Sequence, residues 1–481
     1  MILTALVLVP IVVGFALYAL PRTATGALRA IPALVAALAF FAALAGYAGG
    51  VPDVSVHWLA RPFSAAFHLG FGPVSVWIVA LLAVVTFSAA LAIPASPRAR
   101  ALAAQLLVLQ GAMNGVFLTK DLLLFALFWD LMLLPVFLVL IDHASHARAA
   151  WKYLVYNLAG GLALLLATAA YGVVAGSTDV IGHAPAPVIG ATWGAWIFAG
   201  FALAFLIKTP VFPFHTWMPE TYAELPPVMA AVVSAVQSKA GLYGFLVIGV
   251  PLLQAQMVDA RGLMIALGLA SLLYGALAAL AANDAKRVVA YSSLSHLGLI
   301  LIAVFSGSPL ASTGALVYIV AHGLFSAALF ITLGAVEQRE ETRDVTRLGG
   351  LGARNPRLAG ALVLAALAAL GLPGLAGFAG EILILTGVFK SGLVWPAIVA
   401  LLPIILASAY MLRLYQGIMN GPEIPDLPVR RDLSWREGLA LAPLVAAFVW
   451  LGVNPSALTV TPAAAGAQVG LAPAVEASRA R

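Results

Sequence analysis

The chain has 481 residues, of which 63% are hydrophobic and only 9% charged, with a mean hydropathy of +1.04. Soluble domains carry about 25% charge, so this composition excludes a soluble globular protein and describes an all-α polytopic membrane protein. The absence of cysteine excludes disulfides, thiolate metal sites and cysteine-held iron–sulfur clusters. The formal net charge of +6 comes from basic residues scattered through loops, which is the pattern of membrane topology and not of nucleic-acid binding.

A span needs about 20 apolar residues. In chain order the sequence predicts fourteen, numbered here as spans 1–14: 2–20, 27–48, 72–94, 101–118, 121–141, 153–176, 196–217, 228–251, 262–282, 287–306, 311–335, 358–388, 395–417 and 438–455. No basic residue precedes the first, whereas Arg22 and Arg29 follow it, so it reads as a retained helix with an outer N-terminus and not as a signal peptide. The basic residues test the count. Seventeen lie in loops after odd-numbered spans, six lie in the opposite loops or tail, and Lys208 and Lys239 fall inside spans. The asymmetry places the odd loops in the cytoplasm and both termini outside. The longest polar connections, 336–357 and 418–437, are too short for a soluble domain.

Two spans are interrupted. In span 7 Lys208 is followed by Thr209-Pro210 and then by Pro213, so a helix loses backbone bonds where a charge sits. Broken backbone at membrane depth is tolerated only against protein or a wet cavity. Span 12 repeats the pattern as LPGLAGFAGEILIL, with Glu381 just past the break. Paired Gly/Pro-interrupted spans point to transporter repeats. The expected organisation is therefore 1–100 (spans 1–3), 101–251 (a first five-helix repeat), 262–417 (a second, inverted one) and 418–481 (a loop, span 14 and an Ala-rich tail).

Charge inside the spans is sparse enough to read. Asp130 lies mid-helix in LLLFALFWDLMLLPVFLVL, and Lys208, Lys239, His296, His322 and Glu381 are the other candidates. An intramembrane ionisable residue is a functional hypothesis by default. The plainer readings stay open beside it: Lys208 snorkelling from a helix end, Asp130 as a neutral hydrogen-bonding contact, each histidine as a satisfied core side chain. Four-residue spacing offers polar neighbours, Ser292 to His296, His322 to Ser326 and Lys239 to Tyr243. His143 and His146 flank a cytoplasmic loop and read as solvated. There is no Walker motif, no GxGxxG at a strand–helix junction and no HExxH. What remains is an array of acids and bases across a membrane, the composition of a proton relay.

KTPVFPFHTWMPETYAELPP, SAVQSKAGLYG, NDAKRVVAYSSLSHLGLILIAV and AHGLFSAALFITLG resemble the antiporter-like proton-translocating subunits of respiratory complex I over roughly residues 70–420. In that family, lysine after the break in span 12 marks the L and N branches and the large Mrp subunits. Glutamate marks the M branch, and GFAGEILIL is similar to the M pattern. The resemblance implies a bacterial inner-membrane translocase subunit flanked by subunits L and N. NADH, FMN, iron–sulfur clusters and quinone would be bound by other subunits, with no redox site, cofactor or metal in this chain. It also implies a relay of Asp130, Lys208, Lys239, His296, His322 and Glu381, in which movement of the Asp130 carboxylate controls proton release from Lys208. Asp130 is a departure, because the family usually has glutamate there; aspartate is one methylene shorter, so contact with Lys208 would need a water. Relatives also include cation/proton antiporters of the Mrp type, energy-converting hydrogenases and inorganic-carbon uptake complexes, and these functions remain alternatives.

Overall fold

A computed structural model describes residues 1–145, 147–182, 189–421 and 431–459. His146, Arg430, Arg479, Arg481 and the tail from residue 460 lie outside the described residues. Among the described residues, thirteen helical segments are long and apolar enough to cross a membrane, from Ile2–Ala19 to Trp435–Val453. The fourteenth crossing is span 12, split into Pro356–Ala369 and Ala376–Lys390 around a Gly-Leu-Pro-Gly turn. Span 7 is split in the same way, its helix ending at Lys208 and resuming at Trp217–Glu224.

Burial sorts the spans into layers. Spans 4, 8, 10 and 11 are enclosed almost end to end, whereas spans 1, 2, 6, 13 and 14 turn most of their surface outward. Lipid offers helices no hydrophobic drive to associate, so close backbone approach carries more of the packing. Spans 9 and 10 show this: a Cβ on Gly298 would lie 2.5 Å from the Gly268 carbonyl oxygen. Exposed Trp193, Trp196 and Trp395 lie at one end of the bundle and Trp151 and Trp435 at the other, where an indole has an apolar and a polar neighbour.

The two ends keep the partition of loops expected from the basic residues. At the odd-loop end, Arg343 contacts Glu224 and Asp284, Arg98 contacts Asp142, and Arg436 donates to the Leu91 and Ile93 carbonyls. Arg29 donates to the same Ile93 carbonyl, which joins spans 2, 3 and 14. At the even-loop end, Arg261 donates to the Phe305 and Ser306 carbonyls. That end also carries an element absent from the sequence reading, an antiparallel hairpin of β1 (Val54–Leu59) and β2 (Ala65–Leu69). Asp121 anchors it. One carboxylate oxygen caps span 5 by accepting from the Leu123 and Leu124 amides, and the other accepts from the Ala66 amide and the Thr178 hydroxyl.

Span 8, expected to be regular, is not. Its first helix, Pro227–Ala235, stops where Val236 takes φ −128°; a tight turn follows over Gln237–Lys239, and a π-helical widening occupies Phe245–Gly249. Such widenings cluster at functional sites. Span 5 is interrupted too, at Met132. Pro135 has no amide to offer the Leu131 carbonyl, so the helix loosens one residue after Asp130.

Candidate functional site: a buried polar line

Each candidate side chain sits where a helix is irregular or where two helices meet. Lys208 is the last residue of its half-helix, at the negative end of the helix dipole. Its side chain is 1% exposed, and its ammonium lies 5.0 Å from the centre of the Trp129 ring, a cation–π contact. Asp130, the next residue after Trp129, is the carboxylate whose charge acts on it. The two do not touch: no ion pair among the described residues involves either, and Lys208 Nζ and Asp130 Oδ1 have no hydrogen-bond partner in the protein. Asp130 lies against span 6, where a Cβ on Gly161 would fall 1.9 Å from Oδ1. A side chain at that position would displace the carboxylate from where it lies.

Lys239 is fully buried in the tight turn of span 8 and donates to the Ser234 carbonyl and to Ser238 Oγ at 3.3 Å. Ser234 Oγ meets Ser326 Oγ of span 11 at 2.5 Å. One turn along span 11, His322 lies edge-to-face with His296 of span 10, the ring centres 5.4 Å apart. His296 in turn packs 5.7 Å from the Tyr318 ring, and the Tyr318 hydroxyl donates to Glu381 Oε1 at 2.6 Å. Glu381 is 5% exposed, and a Cβ on Gly371, in the turn of span 12, would fall 2.2 Å from its other oxygen. All four histidine ring nitrogens are buried without a protein partner. Buried polar atoms are normally paired by protein or water, so a run of unpaired ones suits a line bridged by water.

The structure therefore places the six residues in two groups, Asp130 with Lys208 and Lys239 with His322, His296 and Glu381, and the expected four-residue partners do not form. Tyr243 donates across to the Phe117 carbonyl, Ser292 meets the Tyr410 hydroxyl, and Ser326 meets Ser234. The turn at residues 237–239 breaks the periodicity that would have set Tyr243 beside Lys239. His143, read as solvated, is instead half-buried against the Val139 carbonyl. Three residues were missed: Trp129, Ser234 and Tyr318. Tyr318 was accessible, since it lies four residues before His322 as Ser326 lies four after. The other two are fixed by contacts between helices distant in sequence.

The geometry can be set beside known proteins. Residues 119–407 match the family described as NADH:quinone oxidoreductase/Mrp antiporter, transmembrane. The chain is 33% identical to NADH-quinone oxidoreductase subunit M of Pseudomonas aeruginosa, over 95% of this chain and 94% of that one. It is 34% identical to NADH-quinone oxidoreductase subunit 13 of Thermus thermophilus, over 93% and 94% of the two chains. Among solved structures, a chain of respiratory complex I from Thermus thermophilus superposes with a TM-score of 0.84 at 31% identity, over 99% of this chain and 98% of that one. A chain of the Mrp complex from Dietzia shares the fold, with a TM-score of 0.83 at 22% identity and 96% of each chain covered. The chain belongs to the NADH:quinone oxidoreductase/Mrp antiporter transmembrane family.

Proposed function

We propose that the chain is the M-type proton-translocating membrane subunit of a bacterial NADH:quinone oxidoreductase, and that Asp130, Lys208, Lys239, His296, His322 and Glu381 form its relay. The observation that supports the reading is the pair of polar groups at the interrupted spans, Asp130 with Lys208 and the buried run Lys239, His322, His296, Tyr318 and Glu381, none of whose relay residues makes an ion pair among the described residues. A charge neutralised by a fixed partner cannot pass a proton on, whereas buried groups bridged by water can. Tyr318 joins the set as the hydroxyl between the histidine pair and Glu381.

In this reading the carboxylate of Asp130 is the lever. Near Lys208 it stabilises the ammonium, and moved away it leaves a buried cation without a counter-charge, which then gives up its proton. The proton passes through Lys239, His322, His296 and Tyr318 to Glu381 and leaves on the outer side. Redox energy arrives from neighbouring subunits that hold NADH, FMN, iron–sulfur clusters and quinone, with subunits L and N on either flank. The chain sits in the inner membrane with its odd-numbered loops in the cytoplasm, and residues 101–251 and 262–417 act as the two inverted repeats.

The test is proton pumping driven by quinone reduction in membrane vesicles, normalised to assembled complex. Lys208→Ala should abolish pumping while the chain still co-purifies with its neighbours; full pumping by that variant would overturn the relay. A reporter fused after Arg343 should sit in the cytoplasm and one at the C-terminus outside, and both on one side would overturn the topology.

A further inference from the structure

Asp130 with Lys208 and the run from Lys239 to Glu381 lie on different helices, and one neutral side chain reaches toward both groups. Gln237 opens the tight turn of span 8 that closes on Lys239, and it is 1% exposed. Its Nε2 donates to the Met132 carbonyl at 3.2 Å and to the Tyr153 hydroxyl at 2.9 Å. Met132 is the residue at which span 5 is interrupted, two places after Asp130. Tyr153, fully buried on span 6, stands edge-to-face against Trp217, the ring centres 5.5 Å apart. The Trp217 indole donates to the Ile207 carbonyl at 3.0 Å, one residue before Lys208.

Two features set this contact apart from ordinary packing. It ties one helix break to another, the interruption of span 5 at Met132 to the turn of span 8. Pro135 removes a rung of the ladder beside Met132, so span 5 bends there more easily than elsewhere along its length. The amide is also only half satisfied. Gln237 Oε1 is buried without a hydrogen-bond partner in the protein, and so is Thr209 Oγ1 on the residue after Lys208. Spans 7 and 8 meet at that level, because a Cβ on Gly241 would fall 2.3 Å from Thr209 Oγ1. An open acceptor in so dry a place is costly unless water or a second arrangement of the site meets it. A side chain that only filled space there would be better apolar.

We infer that Gln237 is a positioning residue that clamps the bend of span 5 to the turn of span 8, so that displacement of the Asp130 carboxylate is passed to Lys239. The inference rests on the relay reading. Bending of span 5 at Met132 pulls on the Gln237 amide, and the amide belongs to the turn that aims Lys239 at the Ser234 carbonyl and Ser238. Distorting that turn takes acceptors away from the Lys239 ammonium and favours the neutral amine. Its proton leaves toward the unpaired nitrogens of His322, and the proton released by Lys208 refills the amine. One movement of span 5 thus discharges Lys208 and clears Lys239 to receive.

The test reads protons pumped per quinone reduced in the intact complex, with hydrogen exchange of residues 130–140 as a second measurement. Gln237→Met keeps the length of the side chain without its hydrogen bonds. It should assemble, lower the pumping ratio several-fold and speed exchange across 130–140, because the bend has lost its tie. Gln237→Glu is the conservative rescue: a buried carboxyl is held neutral and donates to the Met132 carbonyl as the amide did. It should pump near the parent's level at acid pH and fall toward the methionine variant as the carboxyl ionises, a fall absent from the parent. A parental pumping ratio in the assembled Gln237→Met complex would overturn the clamp. Equal losses in both variants at every pH would overturn it too, by reducing Gln237 to a space-filling contact. If methionine prevents assembly, the glutamate variant decides alone, and a flat pH profile overturns the clamp. A dead Lys208→Ala beside a parental Gln237→Met removes only the clamp. Normal pumping by Lys208→Ala removes the relay, and faster exchange in Gln237→Met then stands as a tie between helices without a proton to steer.

Discussion

The two interrupted spans handle charge in opposite ways. In span 7 the charge is a cation at the C-terminal end of the upstream half-helix; in span 12 it is an anion in the second turn of the downstream half-helix. Each therefore lies toward the helix end whose dipole suits its sign, more closely for Lys208 than for Glu381, because the effect fades beyond the terminal turn. Their other support differs more. Lys208 has an aromatic face and a carboxylate it does not touch, while Glu381 has a short hydrogen bond from Tyr318. The first arrangement leaves a charge that is easily upset, and the second holds one in a fixed place. An element that must release a proton on cue and one that must receive it reliably would be built in these two ways.

The largest expected effect tests whether the first charge must be able to leave. Lys208→Arg keeps a cation and its cation–π contact but cannot lose a proton at any relevant pH, so pumping should be as dead as in Lys208→Ala. Full pumping by the arginine variant would make Lys208 a fixed structural cation and erase the contrast. Next comes the lever. Asp130→Asn, at nearly constant volume, should lose most pumping. Asp130→Glu should keep it at a cost of about 1–3 kcal/mol in stability, because the added methylene enters a site already closed by Gly161. A live asparagine variant with a dead glutamate one would show that packing governs the site.

At the other end, Glu381→Gln should pump poorly while the complex assembles, since the amide keeps the shape without the titration. Tyr318→Phe should be milder, removing one hydrogen bond to the Glu381 carboxyl, worth about 0.5–1.5 kcal/mol, and slowing pumping without stopping it. If the phenylalanine variant is as dead as the glutamine one, Tyr318 is itself a step in the relay and the second site is less static than drawn.

The smallest effect lies outside the membrane. Burial alone would push the Glu224 carboxyl up, but the Ser145 amide and the Arg343 guanidinium outweigh it and hold the carboxyl below the usual glutamate range. The folded value is thus lower than the unfolded one. The stabilisation is fully present above the ordinary glutamate pKa of about 4.3 and is lost as pH falls through the lower folded value. Hydrogen exchange of the Ser145 amide should accordingly stay slow at neutral pH and rise only in that acid window, relative to the intrinsic rate; in Glu224→Gln it should be raised at neutral pH already. An unchanged protection profile in that variant would mean the bridge contributes nothing.

The breaks in spans 7 and 12 were legible because Pro210, Pro213, Pro373 and the glycines around the latter leave a helix no alternative. The six titratable residues were legible because almost nothing else inside the spans is charged. The irregularity of span 8 was not, since no proline or glycine marks Val236; there the surrounding helices decide the backbone. The hairpin escaped for a similar reason, its pairing fixed by Asp121 and Thr178 from distant segments. Side-chain partners were the weakest part of the reading. Four-residue spacing identifies neighbours on an isolated helix, but in a bundle this tightly packed Ser292, Ser326 and Tyr243 find partners on other helices first.

The joint between spans 2, 3 and 14 bears on how the chain is made. The Ile93 carbonyl accepts from Arg436, 343 residues later in the sequence. At synthesis rates of about 5–20 residues per second, roughly 17–70 s separate the emergence of one partner from that of the other. Throughout that interval the Ile93 carbonyl has Arg29 as its side-chain donor, and the flank of span 3 that packs on span 14 lacks that partner. A ribosome that stalls before Arg436 would therefore release a product that holds all six candidate residues but lacks span 14 and its packing on spans 3, 11 and 12.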